Sequence, residues 1–130
     1  MNQDNKGYTA NLKNGLEVYI PRWPVSIAYE NLTKAGQYIG SDNLLSIAEL
    51  NTAAVMLALM ESSDSSKTAG LIKHFVCTAR VDGEKIDPSS YDTKYQDDLH
   101  IVAEIFAHVV KATYSDFFKQ GLAKETSPSD

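Results

Sequence analysis

Apolar positions first recur with a period of two. From Tyr8 to Ile20 they alternate on either side of Asn14-Gly15, which predicts a β-hairpin. The apolar faces fix its register. A two-residue loop would set Leu12 opposite Glu17 and split the aliphatics between faces. A three-residue loop, Lys13-Asn14-Gly15, pairs Leu12 with Leu16, Ala10 with Val18 and Tyr8 with Ile20, all on one face. That geometry is a type I turn with a bulge, and it puts Gly15 in the left-handed region. Pro21-Arg22-Trp23-Pro24 then ends the strand. Pro24 suits the first turn of a helix, where its missing N–H costs nothing. Val25, Ala28, Tyr29, Leu32, Ala35 and Ile39 follow at helical spacing, and Gly40 is a natural stop.

The most apolar run is Ser46–Glu61. It opens with Ser46-Ile47-Ala48-Glu49, the spacing of a capping box. From Ala53 to Met60 no polar residue interrupts it. A helix apolar on every side is buried among other elements or lies in a membrane. The run falls short of the roughly 20 residues a bilayer needs, so it reads as the buried centre of the molecule. The Ser- and Asp-rich stretch Ser62–Ser66 is a loop that supplies N-caps. A helix is expected from about Ser66 to Cys77. Phe75, Cys77, Ala79 and Val81 also alternate, which leaves a strand possible there, before a turn at Asp82-Gly83. Asp87 and Pro88 suit the start of a short helix. The last long helix is expected from about Asp97 to Gln120, ended by Gly121. Its stripe is Leu99, Val102, Ala103, Phe106, Val110, Thr113 and Phe117, widened by Ile101, Ile105, Val109 and Ala112. Residues 1–7 read as loose and 122–130 as a disordered polar tail. The expected fold is α+β, mainly α: one domain over residues 8–121, with an N-terminal hairpin and four to five helices around a central helix at 46–61.

Length and charge narrow the classes. At 130 residues the chain can bury a core without metal or disulfide. A net charge of −5, with scattered basic residues, argues against nucleic acid. The single Cys77 excludes an internal disulfide and fits a reducing compartment. MNQDNKGYT lacks the features of a secretory signal, so a cytoplasmic protein with no membrane partner is expected.

Candidate chemistry is sparse. His74 and Cys77 form H-x-x-C, but no second pair at zinc-ligand spacing accompanies them, and His100 and His108 are eight apart. Cys77 has no flanking nucleophile signature. Glu30, Glu49, Glu61 and Glu104 are single acids on helices. No phosphate-binding, dinucleotide or metalloprotease motif is present, and Val81–Lys85 lacks the ligand ladder of an EF-hand. No catalytic residue, cofactor or metal ligand is expected. Aromatics say more. Trp23 can staple the start of the first helix or sit in a surface patch. Phe117 falls in the core stripe, with Tyr114 and Phe118 beside it. An exposed set of Trp23, Tyr114, Phe117 and Phe118 would mark a partner surface.

The order of elements resembles the tail assembly chaperones of long-tailed bacteriophages. The likeness rests on the N-terminal hairpin, the helix opened by Pro24, the apolar middle helix, Val81-Asp82-Gly83-Glu84-Lys85-Ile86-Asp87-Pro88, the helix start at Asp97-Asp98-Leu99 and the ending Tyr114-Ser115-Asp116-Phe117-Phe118. It spans about residues 8–122. The resemblance implies a non-enzymatic protein, made in the host cytoplasm and absent from the mature virion. Such proteins coat the tape-measure protein, keep it soluble and recruit tail-tube subunits. Many are also made in a longer, frameshifted form. The alternative from the residues alone is a small helical adaptor or regulator acting through homo-oligomerisation. A third reading, an enzyme, predicts a pocket that gathers two or more of His74, Cys77, His100 and His108.

Overall fold

A computed structural model describes residues 7–126, with side chains as far as Gly121. The expectations for residues 1–6 and 127–130 lie outside the described residues.

The hairpin has the register its faces demand. Strand β1 (Gly7–Asn11) pairs antiparallel with β2 (Glu17–Pro21), with Tyr8 opposite Ile20 and Ala10 opposite Val18. Leu12 N–H donates to Leu16 C=O at 2.8 Å, and Gly15 has φ 92°. Leu12, Val18 and Ile20 are buried beneath the sheet. Helix α1 (Val25–Ile39) starts after Pro24 and stops at Gly40, whose φ of 91° only glycine adopts freely. Its inward face is Asn31, Ala35 and Ile39. Val25 and Tyr29, expected inside on spacing, are exposed at 69% and 57%.

The predicted helix at 46–61 is two helices, α2 (Ser41–Ile47) and α3 (Thr52–Glu61). The reason is local. Leu50 N–H donates to Ile47 C=O and Asn51 N–H to Ser46 C=O, while Leu50 has φ 67°. Those are the 5→2 and 6→1 bonds of a Schellman closure around a left-handed residue. Ser46 therefore helps end a helix instead of opening one. Asn51 opens the next, its side chain accepting from Ala53 N–H at 3.1 Å. Nor is α3 the centre. Only Ala54, Val55 and Ala58 are buried, and Met60 is 73% exposed.

Helix α4 (Ser65–Val76) is capped by Asp64, which accepts from Lys67 N–H. The chain then turns into β3 (Arg80–Val81) and β4 (Glu84–Lys85), completing a sheet of order β1-β2-β3-β4. This settles the helix-or-strand alternative over 75–81. It is helix to Val76 and strand from Arg80, where Val81 pairs with Val18. Asp82 and Gly83, with φ 50° and 82°, form the turn. Asp87 does not cap a helix directly. It accepts from Ser89 N–H and Oγ, and the short α5 (Tyr91–Lys94) begins afterwards.

Helix α6 (Leu99–Thr126) continues through Gly121, past its expected end. It meets α2, α3, α4, β1 and β2, and its residues Glu104 to Val110 are all buried. This is the helix enclosed on every side. Phe106 and Val110 of the expected stripe are buried, and so are Ile101, Ile105 and Val109 beside it; Leu99 and Phe117, also expected in the stripe, are 75% and 51% exposed. Two polar residues, Glu104 and His108, are buried here as well, with partners from the hairpin. Glu104 Oε2 accepts from Lys13 N–H at 2.9 Å, and Tyr8 Oη lies 2.9 Å from His108 Nδ1. The fold is thus α+β and mainly α, as expected, with α6 as its axis.

Candidate functional site

A groove of about 760 Å³ opens between the first strand, the start of α1 and the second half of α6. The Pro21–Pro24 linker forms its back. Pro24 fixes where α1 begins, and this sets the direction in which Val25, Ala28 and Tyr29 project. From α6 come Ala112, Thr113, Tyr114, Asp116 and Phe117, and from β1 come Gly7, Tyr8 and Thr9. The volume falls in the range of ordinary ligand and side-chain pockets.

An aromatic chain leads from the core to this groove. Phe106 meets Phe75 at 5.3 Å between ring centroids, Phe75 meets Trp23 edge-on at 5.1 Å, and Trp23 meets Tyr114 at 6.2 Å. Edge-to-face contacts of this kind add to area burial and fix ring orientation. Trp23 is half-buried, packs against Phe75 of α4 and Tyr114 of α6, and also lines the groove. Tyr114 is buried, and its hydroxyl donates to Ala28 C=O at 2.7 Å, tying α6 to α1. Burial pushes its phenol up from the ordinary value. At the rim Tyr29 and Phe117 lie 6.1 Å apart, both more than half exposed.

Of the four aromatics singled out from sequence, Trp23, Tyr114 and Phe117 line this one groove. Phe118 does not. It is half-buried and stacks on Tyr114 at 5.9 Å. Sequence reasoning missed Tyr8, Val25 and Tyr29. The latter two were assigned inward by spacing, and only the exposed placement of α1's first turns reveals them.

The titratable groups do not converge. His74 and His100 are exposed, and His108 is buried against Tyr8. Burial holds His108 below the usual imidazole value, opposed by Glu104 and assisted by Lys111. Cys77 is half-buried and its thiol is pushed up by burial; Tyr91 nearby is pushed up to about 12 by the same cause. Among the described residues no group of three or more His, Cys, Asp or Glu is placed to hold a metal ion. Neither the groove nor a smaller apolar cavity of about 280 Å³ between α3, α4, α5 and α6 is lined by His74, Cys77, His100 or His108. No helix among the described residues is long and apolar enough to cross a membrane.

The fold defines the class first: a small, mainly helical α+β protein built around one enclosed helix and a four-stranded sheet. The family model described as phage tail assembly chaperone protein, TAC, matches residues 14–124, and the chain belongs to that family. No curated protein matches the chain. No solved structure matches it either.

Proposed function

We propose that this protein binds the tape-measure protein of a long-tailed phage, keeps it soluble and helps recruit tail-tube subunits to it. It acts in the host cytoplasm, is absent from the mature virion and works by binding, not by catalysis. Membership of the tail assembly chaperone family carries this reading. The structure supplies a surface suited to it. An amphipathic helix presents apolar side chains at spacings of three and four, and it docks where a groove offers aromatic walls and an open rim. Trp23 and Tyr114 form the back wall, and Tyr29 and Phe117, both more than half exposed, line its rim. Aromatic anchors of this type dominate binding energy at protein interfaces.

The test is co-expression with a tape-measure fragment, followed by size exclusion. The chain should keep the fragment soluble and co-elute with it. If the fragment stays insoluble and no complex elutes, the proposal fails. Tyr29→Glu with Phe117→Glu, both at exposed positions, should leave the circular dichroism unchanged and weaken the complex by at least about tenfold. Unchanged binding by that variant would place the contact elsewhere on the protein.

A further inference from the structure

Helix α3 buries one side and leaves the opposite side apolar. Ala54, Val55 and Ala58 face the core. At 100° per residue, Ala53, Met56, Leu57 and Met60 project away from them, and all four are exposed. They occupy i, i+3, i+4 and i+7, the spacing of a helix–helix seam. No charged residue lies between Thr52 and Met60.

The stripe points to its own kind as occupant. Its positions are symmetric about a point midway between Met56 and Leu57. An antiparallel second copy, related by a two-fold axis through that point, sets Ala53 against Met60 and Met56 against Leu57. Small then faces large at both ends, and the contact is isologous, as a closed dimer requires. Charge agrees. The first turn of α3 holds no acidic residue and its last turn no basic one, while Glu61 stands at the end where the helix dipole is negative. In the antiparallel pair each Glu61 comes beside Thr52 of the other copy, at the positive end of that helix. An apolar helix without a terminal acid gains nothing there.

We infer that two copies of this chain pair antiparallel through α3, about an axis between Met56 and Leu57. Four side chains on a ten-residue helix cover less than the roughly 800 Å² per partner typical of long-lived complexes. The pairing is therefore reversible and set by concentration. It does not depend on the function proposed for the groove.

The experiment is sedimentation of the full chain over a range of concentrations. A monomer–dimer equilibrium is expected. Leu57→Glu, at an exposed position, should keep the fold by circular dichroism and weaken the dimer by at least about a hundredfold, because it buries a carboxylate against Met56 twice in each dimer. Cross-linking tests the register. In a Cys77→Ala background, Ala53→Cys mixed with Met60→Cys should form an inter-chain disulfide under mild oxidation, and neither alone should. A monomer at every concentration, a dimer indifferent to Leu57→Glu, or cross-linking by the single variants but not the mixture would each overturn the inference. So would a monomeric chain whose Leu57→Glu variant loses the tape-measure fragment, since the stripe would then belong to that partner. Loss of capture by the groove variant with the dimer intact concerns the function alone.

Discussion

Two truncations separate α6 from α3 as the centre of the fold. Ile105 on α6 is 0% exposed and Met60 on α3 is 73% exposed. Ile105→Ala removes buried carbons from a site enclosed on all sides, where relaxation is limited. Such changes cost 2–5 kcal/mol, and full enclosure favours the upper part, about 4 kcal/mol. A chain of this length then loses about 15 °C in Tm. Met60→Ala forfeits only the covered quarter of its side chain, about 0.5 kcal/mol, and alanine's better helix propensity offsets part of that. Urea unfolding followed by far-ultraviolet circular dichroism gives both numbers, with equal slopes showing that the unfolded states are comparable. The protein should be dilute enough to stay monomeric, because self-association would add apparent stability. A cost above about 2 kcal/mol for Met60→Ala, or below about 1 kcal/mol for Ile105→Ala, would refute the assignment of α6 as the axis.

Further outcomes follow from single contacts. Asn51→Ala removes the acceptor for Ala53 N–H at the start of α3 and should cost about 1 kcal/mol in the same urea assay. Tyr114→Phe deletes the donor to Ala28 C=O; a loss of about 1 kcal/mol is expected, read as a lower urea midpoint at constant slope. His108 is held below its ordinary value by burial, so the unfolded chain binds its proton more readily than the folded one. Its effect is absent well above about 6.5, and stability falls as pH drops from there toward the depressed folded value. Stability measured from pH 7.5 to 5 should fall less steeply in His108→Gln than in the unsubstituted chain; parallel profiles would exclude His108 as the source.

What was legible in the sequence was punctuation and period. Asn14-Gly15 and the alternation around it left one register that kept Leu12, Val18 and Ile20 on one face. Pro24 and Gly40 bounded α1 to the residue. The break between α2 and α3 was not legible, because the left-handed residue that closes α2 is Leu50, where the usual signal is glycine. The all-apolar run then read as one buried helix. The full enclosure of α6 was not legible either. Glu104 read as a single acid on a helix and His108 lay outside the apolar stripe; their partners Lys13 and Tyr8, far off in sequence, are what make their burial affordable. Three of the four chosen aromatics share a groove because Tyr114 ties α6 to the start of α1 beside Trp23. Tyr29 was hidden by its own periodicity, which fits a core stripe as well as a rim.

The clasp between the hairpin and α6 sets an order of events during synthesis. Tyr8 and Lys13 leave the ribosome early, but His108 and Glu104 follow about a hundred residues later. The β-ribbon must wait, marginal by itself, until the middle of α6 has emerged. The ribbon is thus locked late, only when a segment about a hundred residues downstream folds back onto it.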